Sequence, residues 1–188
     1  MDLASPSMGY PLREEKEGAC YHVGTRGNNQ RDIYTDDKSR LIFLLMLQRL
    51  AKRHSWRVLA YCLMNNHYHL ILQLGAGGLW RGMQSLNGNY ASAFNARAGR
   101  RDHLFGRRFW SRELGDADDL VRTCAYIDAN PTRSFDIPHS EWPWSGYRAA
   151  AGLDAPLGFH RVGDLWRVLD PKPRAAMDAY ALIVMDCL

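Results

Sequence analysis

With 188 residues, 46% of them apolar, the chain has material for one ordinary domain plus an appendage. Its 24 Lys and Arg against 20 Asp and Glu give a formal charge of +4 and a pI near 9.0, a mild bias toward an anionic partner. The longest aliphatic run, "LIFLLML" at 41–47, is far too short to span a bilayer, no apolar leader opens the N-terminus, and Cys20, Cys62, Cys124 and Cys187 include no CxxC pair, so the reading is a cytoplasmic protein without membrane association and with reduced thiols.

Residues 1–18 mix proline, glycine and charge without periodicity and read as a loose tail. "CYHVGTRGN" at 20–28 opens as a strand, Tyr21 and Val23 alternating against His22, then breaks at Gly24 and Gly27 into a loop carrying Arg26, Asn28 and Asn29. From Thr35 or Asp36, either a good N-cap, a helix places Phe43, Met46, Leu47 and Leu50 on one face and Lys52, Arg53 and His54 in its last turn. "WRVLAYCLM" at 56–64 and "HYHLILQL" at 67–74 form two antiparallel strands, joined by Asn65-Asn66, a pair that tolerates the positive φ of a tight hairpin.

Leu79, Met83, Leu86, Tyr90 and Phe94 recur at helical spacing despite Gly82 and Gly88 and predict a second helix. "HLFGRRFWSREL" at 103–114 reads as a turn and a strand. "DADDLVRTCAYIDANP" at 116–131 reads as a third helix with carboxylates in its first turn and a stop before Pro131. The order strand, helix, strand, strand, helix, strand, helix is the ferredoxin-like split βαβ plan, class α+β with an antiparallel sheet and one extra helix. Residues 19–135 form that domain, and 136–188, with Trp142-Pro143-Trp144 and an apolar helical end at 174–187, form a C-terminal extension packed on it.

Alternation along a strand sends His67, His69 and Ile71 to one face and Asn66, Tyr68 and Leu70 to the other. Two converging imidazoles are half of a divalent-metal site, or a hydrogen-bonded pair at a sheet edge. On the third helix Tyr126 and Asn130 lie one turn apart beside Arg122 and Thr123, while Leu120, Cys124 and Ile127 form the stripe that packs on the sheet. If that helix lies against the strand carrying the histidines, Asn130 completes the metal site and Tyr126 stands beside the ion; otherwise Tyr126 is a boundary tyrosine with a wet hydroxyl. Arg97, Arg100, Arg101, Arg107, Arg108 and Arg112 surround Phe105, Phe109 and Trp110, a mixture suited to phosphate contacts and base stacking, or to a solvated face over core aromatics.

"YHVGTRGNNQRDIY", "YCLMNNHYHLIL", "HLFGRRFW", "AYIDANP" and "EWPWSGYRA" follow one another as in the REP-associated tyrosine transposases, a branch of the single-tyrosine HUH transposases, and the chain resembles that family over about residues 20–150. The resemblance implies His67-Tyr68-His69 as the metal motif, Tyr126 as nucleophile, Asn130 as the polar position of the metal site, and Arg26-Gly27-Asn28-Asn29 as a loop helping to read the foot of a DNA hairpin. It also implies Mg²⁺ or Mn²⁺ as cofactor and single-stranded DNA with palindromic hairpins as partner; the sequence is compatible with a monomer or a homodimer. Phe105 stands where relatives often carry tryptophan. Asp128 is a second departure, facing solvent or adding a carboxylate near the metal. The expected function is cleavage and rejoining of single-stranded DNA through a 5′-phosphotyrosine; the alternatives are a non-catalytic nucleic-acid-binding module and a water-using metal hydrolase.

Overall fold

A computed structural model describes residues 15–76 and 78–188. Residues 1–14 of the segment read as a loose tail lie outside the described residues. Glu15 accepts from the first amides of the helix that begins at Leu79, Leu79 N at 2.8 Å and Trp80 N at 2.5 Å, a carboxylate on a helix N-terminus.

The chain runs β1 (Cys20–Arg26), a 3₁₀ turn (Asn28–Gln30), α1 (Asp37–Arg53), β2 (Arg57–Leu63), β3 (His67–Gln73), α2 (Leu79–Ala98), β4 (Trp110–Glu113) and α3 (Ala117–Asp128). Short helices α4 (Asn130–Phe135), α5 (Tyr147–Ala150) and α6 (Val162–Leu169) lead to α7 (Pro173–Met185). The strands make one antiparallel sheet of order β2-β3-β1-β4, so the predicted α+β plan is the observed one and the histidine strand is interior.

The sheet has two apolar faces. Tyr21, Val23, Tyr68, Leu70 and Leu72 pack on one side with Phe43, Leu47 and Leu50 of α1 and Leu79, Met83, Leu86, Tyr90 and Phe94 of α2. Ala60, Cys62 and Ile71 pack on the other with Leu120, Cys124 and Ile127 of α3, Leu165 of α6 and Tyr180 and Val184 of α7. A bulge in β2 between Val58 and Ala60 turns Leu59 and Ala60 both toward the α3 side. Gly82 has a packing reason: a Cβ there would run into the Trp56 ring.

The α1 cap is Asp36, one of the two residues the sequence offers, and α3 has a cap the sequence reading did not name. Asp36 accepts from Ser39 N at 2.7 Å and Ser39 Oγ closes a capping box on α1; Asp116 accepts from Asp119 N at 2.8 Å on α3. The Asn65-Asn66 turn differs from expectation. Among the described residues the non-glycine positive φ values belong to Asn29, Gln30, Ser55 and Asp136, so the two asparagines serve as a bonding hub instead of supplying left-handed backbone. Asn65 O accepts from Ile33 N (2.9 Å), Asn65 Oδ1 from Arg40 Nη2 (2.7 Å), and Asn66 O from Gly27 N (2.8 Å). The third helix differs as well: α3 ends at Asp128, and Pro131 sits in the first turn of α4, where its missing N–H costs nothing.

The C-terminal segment seals the outer edge of β2. Leu63 N donates to Trp144 O, Gly146 N to Tyr61 O and Arg161 N to Val58 O, each at 2.8 Å, which satisfies an edge otherwise open to other chains. Buried His160 donates through Nε2 to Leu59 O at 3.0 Å, and burial pushes its pKa down to about 4. The unfolded chain therefore binds the proton more tightly, and stability is lost as pH falls from the ordinary histidine value toward 4. We expect denaturant unfolding to show about 2–3 kcal/mol more loss between pH 7 and pH 4.5 in the parent than in His160→Gln, which keeps a donor but does not titrate.

Candidate active site

Register on the sheet assembles more than the two histidines the sequence singles out. Gly24 of β1 pairs with His69 and Arg26 with His67, so His22 lies diagonally beside His69 on the same face. His22 Nε2 and His69 Nδ1 are 3.1 Å apart, and the His67 and His69 ring centroids 5.0 Å. Trp110 of β4, 41% exposed, stands edge-on to His22 with centroids at 4.6 Å. Gly24 leaves room for it, since a Cβ there would approach the indole within 2.9 Å.

Hydrogen bonding selects the ring nitrogens. His67 Nδ1 lies 2.7 Å from the Asn66 side-chain oxygen, which only accepts, so Nδ1 carries the proton and Nε2 keeps its lone pair. If His69 Nδ1 donates to His22 Nε2, the Nε2 of His69 is likewise free to bind. Burial, with the Arg26 charge second, pushes His67 down to about 4; burial and then His22 depress His69 well below the usual range; burial and then Arg112 bring His22 to about 4. All three rings are thus neutral at neutral pH, the state that ligates a cation. Among the described residues no three His, Cys, Asp or Glu gather as a metal site.

Tyr126 and Asn130 come from α3 and the start of α4, and α3 packs on the sheet face that carries the histidines. Tyr126 is 49% exposed and Asn130 only 7%. Arg133, seven residues after Tyr126, joins them. Its Nη2 donates to Asn130 Oδ1 (2.9 Å) and Tyr126 O (2.6 Å), its Nη1 to Cys187 O (3.0 Å), and its guanidinium lies 4.1 Å from the Tyr126 ring centroid. Arg133 is also among the charges that depress His69. Asp128 does not face solvent: it is 1% exposed, it accepts from the α7 Tyr180 hydroxyl at 2.7 Å, and burial pushes its pKa up to about 8.

The arginines divide. Arg112 clamps Asp119 with bonds of 2.7–3.0 Å and reaches Thr123 Oγ1; Arg97 pairs with Asp36 and Arg100 with Asp102. Arg101, Arg107 and Arg108 line an open cleft of about 520 Å³ with Trp80, Phe105 and Phe109. Arg108 lies over the Trp80 ring at 5.3 Å, and Phe109 is a core residue. Arg26, which the structure places at the end of β1 and not in the expected loop, and the Gly27–Asn29 turn after it border this segment, Asn28 N donating to Leu104 O (2.8 Å) and Gly106 N to Arg26 O (3.2 Å). Gly27 is required by the chain itself, for a Cβ would collide with the Arg31 carbonyl. His22, Arg133 and Tyr180 escape a reading of the sequence alone. Only the alternation of His22 against Tyr21 and Val23 hints at any of them.

A split βαβ sheet with an imidazole-lined face, and a helix presenting an exposed tyrosine laid on that face, defines the class of domain. Residues 16–130 match the family model of IS200-like transposases, and the chain belongs to that family. The solved structure of a REP-associated tyrosine transposase bound to a REP hairpin is similar in fold, with a TM-score of 0.64 at 16% identity, covering 82% of this chain and 90% of that one. No curated protein matches the chain. No helix among the described residues is long and apolar enough to cross a membrane.

Proposed function

We propose that the protein is a single-strand DNA endonuclease and strand transferase that cleaves beside palindromic hairpins through a covalent 5′-phosphotyrosine. The observation that carries this reading is Arg133, which touches both Tyr126 and Asn130 while its charge reaches His69, tying the tyrosine and the amide to the neighbourhood of the histidine pair.

His67 and His69 through Nε2, with Asn130 through Oδ1, are the residues that would hold Mg²⁺ or Mn²⁺. The donor set fits: two neutral imidazoles, each with its other nitrogen hydrogen-bonded, and an amide oxygen whose second lone pair is open. The imidazoles favour Mn²⁺ over the harder Mg²⁺. When bound, the ion supplies Lewis-acid polarisation of the scissile phosphate. Tyr126 Oη attacks phosphorus, the P–O3′ bond breaks, the phenolic proton leaves to solvent and the released 3′ oxygen takes one up. One phosphodiester replaces another, so a 3′-hydroxyl can reverse the step on a second end without ATP. The aromatic and arginine cleft, with the Arg26–Asn29 segment, would hold unpaired bases and backbone by stacking and salt-sensitive contacts.

The test is to mix protein with labelled palindromic single strands and Mn²⁺ and separate the products on a denaturing gel. A band of DNA joined to protein supports the proposal. Retarded but intact DNA points instead to a binding module, and cut DNA carrying no protein points to a hydrolase. His22 gives a further prediction. Outer-shell partners of metal-bound histidines typically contribute 10–100-fold in affinity. His22→Ala is therefore expected to weaken Mn²⁺ binding about 10-fold or more by calorimetry, and His22→Gln, which retains an acceptor, to weaken it less. Equal Mn²⁺ affinity in parent and His22→Ala would remove His22 from this role.

A further inference from the structure

On the reading that Tyr126 is the nucleophile and Asn130 a ligand, we propose that Arg133 is the positioning residue that fixes both, anchored in turn by the main chain just beyond α7.

A side-chain amide can present oxygen or nitrogen by a half-turn about its last bond. Arginine has donors and no acceptor, so Arg133 Nη2 at 2.9 Å compels Asn130 to turn Oδ1 toward the guanidinium, leaving one lone pair on that oxygen for a cation. Among the described residues the buried Asn130 Nδ2 has no hydrogen-bond partner, so no second hydrogen bond holds the other end of the amide. Arg133 is what orients it.

The same guanidinium covers the Tyr126 ring at 4.1 Å, limiting the rotation of a side chain that is half exposed. Its own place is set by two carbonyls, Tyr126 O at 2.6 Å and Cys187 O at 3.0 Å. A second tie runs parallel, the Tyr180 hydroxyl of α7 donating to Asp128 two residues after Tyr126. The C-terminal extension thereby acts on the reacting group through Arg133 as well as covering the sheet edge. All three acceptors of Arg133 are uncharged, so the rival role is a contact to DNA phosphate, and the experiment separates the two.

Single-turnover adduct formation, hairpin affinity measured without metal, and Mn²⁺ affinity measured by electron paramagnetic resonance without DNA are compared in the parent, Arg133→Ala and Arg133→Lys. For Arg133→Ala the adduct rate is expected to fall about 10–100-fold and Mn²⁺ affinity several-fold, with hairpin affinity within about threefold of the parent. Lysine keeps the charge but has neither the planar face nor the fork, so Arg133→Lys is expected to bind hairpins as the parent does and to recover only a small part of the rate. The proposal is overturned by a parental rate in Arg133→Ala, by hairpin affinity that drops as far as the rate, or by full recovery in Arg133→Lys. An adduct that persists in Tyr126→Phe refutes the nucleophile assignment instead, and the Mn²⁺ titration then decides whether Arg133 still orders Asn130.

Discussion

Tyr126→Phe is expected to abolish the covalent protein–DNA adduct, a loss of at least about 10³-fold, because the ring remains and only the attacking oxygen is gone. The substitution is mild for the fold. Tyr126 is half exposed, its backbone carbonyl still accepts from Arg133, and the guanidinium can still cover the ring. Hairpin affinity should stay within about threefold, the scale of one solvent-facing hydrogen bond. The measurement is a denaturing gel with a labelled hairpin substrate at saturating Mn²⁺. Persistence of the adduct at the parental rate would take Tyr126 out of the chemistry and direct attention to other nucleophiles.

The second large effect lies on β3. His67→Ala and His69→Ala are each expected to reduce metal-dependent cleavage by about 10²–10⁴-fold, the range covered by a few kcal/mol of lost charge stabilisation at the phosphate. They should differ in what else they disturb. Removing His67 strands the Asn66 side-chain oxygen at the hairpin turn, whereas removing His69 frees His22 and opens space beneath Trp110. Both variants should still bind hairpins in the absence of metal. Undiminished cleavage in either would refute the ligand assignment.

Much of this is legible in the sequence because it depends on periodicity. The 3.6-residue spacing of Leu79, Met83, Leu86, Tyr90 and Phe94, the Asp36 cap and the alternation that turns His67 and His69 to one side are all local properties, and the structure has them. What is not local stays hidden. His22 meets His69 through the pairing register of two strands 47 residues apart, which no single-strand pattern specifies. Arg133 lies beyond the stop expected before Pro131, but Ala129 keeps helical φ and ψ (−77°, −12°) and α4 carries the chain on, so Arg133 falls two turns after Tyr126 and covers its ring. Asp128 looks solvent-facing from its charge, yet α7 returns to bury it against Tyr180. Arginine count also misleads, since Arg97 and Arg112 are occupied by carboxylates on other elements and Arg100 by its near neighbour Asp102.

Asn66 carries a consequence of its own. Its amide nitrogen holds the Gln30 carbonyl at 3.0 Å and its amide oxygen holds the His67 ring at 2.7 Å, and the flat group between them has no internal joint. Gln30 and the His67 imidazole are thus joined through one planar group, so a ligand that displaced residues 28–30 would be expected to shift the ring as well. On the proposed assignments, recognition and reactivity would meet at this one side chain.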